Sequence, residues 1–145
     1  MTTKTATTID RLLEIVSQGR GGEAADLYAP GAVLDATVPD WRFQKRGGEA
    51  IASVWSHWFA EPGRFDELER LPVPDGEVVR YVIAGQENGT PFAVHHCHIL
   101  TLDGATGLIA GHRVWCGGRW YPDRLAEMAE AQRAENERSR GDTPG

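Results

Sequence analysis

The sequence predicts an α+β fold in which one curved antiparallel sheet carries its helices on one face. Three observations point there. Helical periodicity is confined to the first 60 residues and to a terminal segment. Strand-like segments dominate from 65 to 117. The strands follow one another through short turns, without the strand–helix alternation of a doubly wound sheet. A sheet of this kind leaves a concave pocket beneath its helices, the default place for small-molecule chemistry.

Residues 8–18 read as an amphipathic helix. Ile9, Leu12, Leu13 and Val16 recur at i, i+3, i+4 and i+7, with Thr7 or Thr8 as N-cap. Gly19, Gly21 and Gly22 break it, and a shorter helix over 23–29 ends at Pro30-Gly31. A strand over 32–37, a turn at Pro39-Asp40 and a strand over 41–45 make a hairpin. Ile51, Val54, Trp55, Trp58 and Phe59 form one apolar stripe on a helix over 49–60, stopped by Pro62-Gly63. A weak strand over 65–73 contains Pro72, with Pro74 just beyond it, and stronger strands cover 78–86 and 92–102. The loop 103–107 leads to a returning strand over 108–117, with Gly117-Gly118 as its exit. A charged helix over 122–138 presents a solvated face, and 139–145 reads as a disordered tail.

The 145 residues (15.9 kDa) fit a single domain over 1–138 with a core that needs no disulfide or structural metal. Fifteen Lys and Arg against 21 Asp and Glu give a net charge of −6, which argues against nucleic-acid or membrane-surface partners. No apolar run reaches the roughly 18 residues of a membrane span. The opening residues lack a signal-peptide core. Cys97 and Cys116 are too few for a disulfide scaffold. The expectation is a cytoplasmic protein.

Three strings, LYAPGAVLDATV (27–38), RGGEAIASVW (46–55) and TLDGATGLIAGHRVW (101–115), give the chain its resemblance to a family. By their order and spacing it resembles the nuclear-transport-factor-2-like superfamily, including its ketosteroid-isomerase-like and SnoaL-like (polyketide-cyclase-like) members. The resemblance covers most of 8–121. It implies a cone-shaped, cystatin-like roll with an apolar pocket, and a homodimer. It does not imply one function, since the superfamily holds isomerases, dehydratases, cyclases, epoxide hydrolases and plain binding domains.

The chemistry-bearing stretch is Val94-His95-His96-Cys97-His98. Alternation puts His96 and His98 on one face and His95 and Cys97 on the other. If the 103–107 loop closes symmetrically, opposed residue numbers sum to 210. His98 then faces His112 and His96 faces Val114, with Cβ atoms about 4.5–5.5 Å apart. His96, His98 and His112 would form one cluster. The resemblance places His98 where isomerase-like members carry an oxyanion-stabilising acid, and puts Val114 and Cys116 in the pocket. It also implies a general-base carboxylate at the end of the first strand. The matching position is Ala36, so Asp35 enters the pocket only if a bulge turns it inward, and Asp40 is a further candidate.

Imidazoles exchange protons near neutral pH, and neighbouring ones must titrate apart, so one can serve as acid and another as base. The reading is cofactor-independent acid–base chemistry on a small hydrophobic molecule. His98 and His96 form the pair, His112 orients, and Asp35 is base or orienter. Trp41, Trp55, Trp58, Phe59 and Tyr28 are expected to shape the substrate site with Val114. Two alternatives stand: a zinc or iron site on His96, His98 and His112, and a non-catalytic binding domain in which the histidines are structural. Arg113 and Trp115 belong, by parity, to the outer face of the sheet, a candidate dimer interface.

Overall fold

The computed structural model describes residues 7–141. Helix α1 (Thr8–Gln18) starts on a capping box: the Asp10 N–H donates to the Thr7 hydroxyl, and the Thr7 N–H to the Asp10 carboxylate. Its buried stripe is Ile9, Leu12, Leu13, Ile15 and Val16. Two 3₁₀ turns, Gly21–Glu23 and Ala25–Leu27, replace the expected helix over 23–29. At Gly21 a Cβ would lie 2.0 Å from the Trp55 carbonyl oxygen, so only glycine lets this turn approach the second helix.

Strand β1 (Tyr28–Val38) therefore begins four residues earlier than the periodicity indicated, and turns at Asp40 into β2 (Trp41–Arg46). Helix α2 (Gly48–Trp58) buries Ile51, Ala52 and Trp55. Strands β3 (Gly63–Val73), β4 (Gly76–Glu87), β5 (Thr90–Leu102) and β6 (Ile109–Trp120) follow. Pro72 does not break β3, because β3 is an edge strand with a spare hydrogen-bonding side. Helix α3 (Pro122–Gly141) buries nothing and carries ion pairs such as Arg124–Glu127. It continues through Ser139, Arg140 and Gly141, where a tail was expected; 142–145 lie outside the described residues.

The six strands form one sheet in the order β2-β1-β6-β5-β4-β3. The α+β expectation holds, with one amendment: the sheet is mixed, because β1 runs parallel to β6. Helices α1 and α2 cover one face. Their apolar residues join Leu34, Ala36, Val79, Tyr81, Ile83, Leu100 and Val114 in one core. No helix among the described residues is long and apolar enough to cross a membrane.

Candidate functional site

Three buried histidines face the helices from the centre of this sheet: His96 and His98 on β5, His112 on β6. The clustering expected from alternation is present, but its register differs. His98 opposes Val114, His96 opposes Cys116, and Leu100 opposes His112, so opposed numbers sum to 212 rather than 210. The β5–β6 connection is longer and irregular at Thr101/Leu102. A slip of two preserves the face of every side chain, whereas a slip of one would have dispersed the cluster.

The histidines belong to a continuous buried chain. Trp55 Nε1 lies 2.8 Å from the Tyr28 hydroxyl, which lies 2.9 Å from His112 Nδ1. His112 Nε2 lies 2.7 Å from His98 Nδ1. His98 Nε2 and His96 Nδ1 each lie 2.9 Å from the one Tyr81 hydroxyl. Burial dominates the electrostatics here. It holds His98 at a pKa of about 3 and pushes His96 and His112 well below the usual imidazole value, with neighbouring rings adding to the effect. Burial raises the Tyr28 and Tyr81 phenols. All five groups are neutral at pH 7.

Only His96 of the three rings reaches an open cleft. The cleft has a volume of about 350 Å3, and its walls include Val38, Trp58, Val94 and Cys116. The Trp58 ring centroid lies 5.4 Å from that of His96, and the Phe59 ring meets His96 edge-on at 5.7 Å. His96 Nδ1 is engaged by Tyr81, so Nε2 is the nitrogen left for a ligand. The rim is charged. Arg119 lies 3.0 Å from Glu87 and 3.6 Å from Glu61, and packs over the Phe92 ring. The Tyr121 hydroxyl donates to Glu87, and with Arg119 it holds that carboxyl below its usual range.

Arg119 enters through a bulge. Val94 pairs with Arg119 and His96 with Cys116, so one β5 residue opposes two β6 residues, Gly117 and Gly118. Gly118 takes φ +109, a conformation L side chains rarely adopt. The bulge shifts the alternation, so Arg119 joins Val94 on the inner face where simple parity would place it outside. The two glycines are thus a bulge inside the strand, not its exit.

Several expected site residues lie elsewhere. Asp35 is on the outer face, because β1 has no bulge at that point: Leu34 and Ala36 point into the core, and Asp35 pairs with Arg42 and opposes Arg113. The Arg42 guanidinium holds its carboxyl below the usual range. Asp35 is therefore no base for the cluster, and Asp40 sits exposed in the β1–β2 turn. Trp41 is 70% exposed and lines a neighbouring groove between β2 and α2 with Phe43 and Val54, which adjoins the cleft at His57 and Trp58. Trp55, Tyr28 and Val114 are buried behind the cleft. Trp58 lines the cleft, while Phe59 lines a small pit beside it with His96 and Glu61. His98 and His112 are buried behind His96, and their nitrogens face each other and two phenols. They do not converge on a metal position. Among the described residues no group of three or more His, Cys, Asp or Glu side chains is placed to hold one. Trp115, Arg113, His95 and Cys97 do occupy the outer face, as parity indicated.

Tyr81, Glu61, Glu87, Arg119 and Tyr121 were not anticipated. Tyr81 had a readable signal. Asn88-Gly89 forms a two-residue turn with positive φ at both positions, pairing Glu87 with Thr90. Counting back from that turn sets Tyr81 opposite His96.

The family model of the SnoaL-like domain matches residues 9–112. No curated protein matches the chain. Among solved structures, a nuclear-transport-factor-2-like protein of unknown function from Mesorhizobium loti is similar at TM-score 0.60 and 20% identity, over 77% of this chain and 88% of that one. A Bacillus subtilis protein described as a proposed isomerase is similar at TM-score 0.59 and 14% identity, over 76% and 84%. A Silicibacter pomeroyi protein with a cystatin-like fold is similar at TM-score 0.56 and 16% identity, over 90% and 86%. These identities speak to the fold alone.

Proposed function

The chain belongs to the SnoaL-like domain family, and from that premise we propose that it is a small-molecule enzyme performing cofactor-independent acid–base chemistry. The reaction is of the isomerase, dehydratase or cyclase type, on a hydrophobic substrate of polyketide or terpenoid character. The observation that carries the reading is His96: a neutral imidazole tethered from behind by Tyr81 and presented to a cleft that sets Val38, Trp58 and Val94 beside the carboxylates of Glu61 and Glu87. The similarity to a structure described as a proposed isomerase points the same way.

Glu61 is the proton acceptor in this reading. It lines both the cleft and the pit beside His96, whereas Glu87 is tied down by Tyr121 and Arg119. The carboxylate takes a proton from the carbon beside a carbonyl. The C–H electron pair forms the C=C bond of an enolate while the carbonyl π pair moves onto its oxygen, and the proton returns at another atom of the product. Trp58, Val38 and Val94 exclude water from the apolar part of the ligand. His98 and His112 do not touch the ligand; they position His96.

The test is hydrogen–deuterium exchange at the α-carbon of hydrophobic ketones and 1,3-dicarbonyl compounds in D2O, followed by NMR. Wild-type protein accelerates exchange for part of the panel. Glu61→Gln lowers the rate about 10²–10⁴-fold, the scale of a general base. His96→Gln lowers it about 10²-fold, the scale of one oriented donor. Equal exchange in wild type and both folded variants, or none across the panel, would sink the reading.

A further inference from the structure

We propose that Trp55 is a positioning residue that fixes the tautomer of His96, holding the proton on Nε2 so that the cleft offers a neutral imidazole N–H to an acceptor oxygen of its ligand. The bookkeeping of protons along the buried chain forces this polarity. An indole N–H donates and cannot accept. Trp55 therefore donates to the Tyr28 oxygen, and the Tyr28 proton goes to its other partner, His112 Nδ1. A neutral imidazole carries one proton, so that of His112 sits on Nε2 and is donated to His98 Nδ1. The His98 proton then sits on Nε2 and goes to the Tyr81 oxygen, and Tyr81 donates to His96 Nδ1. The one place left for the His96 proton is Nε2, at the cleft.

Two other patterns fill every contact. In one, His98 and His96 both donate to Tyr81, and that phenol's own proton has no acceptor where Tyr81 is 0% exposed. The other is the reverse polarity. In it Trp55 and His112 both donate to Tyr28, and the phenol's own proton has no acceptor in a core where Trp55 is 0% exposed. Burial of all three rings favours their neutral forms, which the count requires. Trp55 also closes the chain to traffic. A proton leaving His96 inward would have to emerge through a group that cannot accept one. The chain orients a donor and conducts nothing. The ligand atom it suits is a carbonyl or enolate oxygen, and that half of the inference rests on the acid–base reading above; the tautomer half does not.

The experiment is ¹⁵N NMR of protein labelled in histidine, in which protonated and unprotonated ring nitrogens resonate far apart. Wild-type protein is expected to show His96, His98 and His112 all protonated on Nε2. In Trp55→Phe, with its fold checked by circular dichroism, the His96 signals move toward a mixture of both tautomers. If that variant fails to fold, Tyr28→Phe removes the phenol that passes the polarity on and should give the same mixture. Wild-type His96 protonated on Nδ1, or an unchanged His96 tautomer in either folded variant, would overturn the proposal. Deuterium exchange on the same samples separates the two readings: predicted tautomers without exchange overturn the enzyme reading and leave the role of Trp55 standing.

Discussion

The two ends of the buried chain obey different physics. At the closed end, Tyr28, Trp55 and His112 are almost wholly out of water, and every polar atom meets a partner about 2.7–2.9 Å away. At the open end, Arg119, Glu61, Glu87 and Tyr121 are part-exposed and arranged as an ion-pair network. His96 belongs to both. The dry end gives orientation without charge, because burial disfavours any ionised form there. The wet end holds its groups as ion pairs within reach of solvent. A ligand-facing group that needs one fixed tautomer belongs to the first, and a proton acceptor that cycles between ionised and neutral belongs to the second.

The largest expected effect is acid sensitivity of the closed end. The three buried rings have folded pKa values below the ordinary imidazole value of about 6.5, so the unfolded chain binds more protons as pH falls. Their contribution is full above about pH 6.5 and is lost as pH drops toward the folded values, about 3 for His98. Three rings together reduce stability by up to about 4 kcal/mol per pH unit in that window. Against a total of about 5–15 kcal/mol, unfolding sets in about two to four units below neutrality. Urea titrations at pH 7, 6 and 5 measure the slope. A slope matching one ring or none would mean that the closed end is wet.

Next is Tyr81→Phe, which cuts the chain where it meets the open end. The hydroxyl satisfies both His98 Nε2 and His96 Nδ1. Its loss leaves two buried nitrogens without partners, at about 1–3 kcal/mol each. A loss of about 2–6 kcal/mol is expected by urea unfolding, with turnover falling alongside it. A loss near zero would mean that water replaces the phenol and that the two ends are not separate environments.

The elements that were legible in the sequence are those fixed by short-range pattern. The 3.6-residue stripes of α1 and α2 and the alternation of β4 to β6 are local facts about Leu12, Trp55 or Val79. The clustering of His96, His98 and His112 was legible because alternation survives a two-residue error in register. What stayed hidden depends on partners distant in sequence. Nothing near Tyr28 signals that β1 will lie parallel to β6, yet that pairing brings the Tyr28 hydroxyl to His112. Nothing near Pro72 says that its strand is at an edge. Asp35 misleads because the resemblance implies a carboxylate where this chain has Ala36, and regular alternation turns the neighbouring acid outward to Arg42. Arg119 is hidden by the bulge, which reverses the parity of everything beyond Gly118.

That bulge allows the open end to be damaged alone, with the smallest expected cost in stability. In Gly118→Val the new Cβ meets only ordinary contacts, 3.6 Å from Pro39 and 3.7 Å from Trp120, so the penalty is conformational. Holding a β-branched residue at φ +109 costs about 1–3 kcal/mol. The alternative open to the strand is to drop the bulge, pair residue 118 with Val94 and turn Arg119 to the outer face. The strand is expected to take this second course, which releases Arg119 from Glu61 and Glu87 and leaves Trp55, Tyr28, His112 and His98 untouched. The expected result is turnover reduced about tenfold or more, equivalent to about 1.4 kcal/mol of lost transition-state stabilisation. The ¹⁵N signals of His98 and His112 should match wild type. Should those signals move as well, Arg119 and the buried chain would have to be one coupled unit, because a change confined to the rim has no other route to rings that share no hydrogen bond with it.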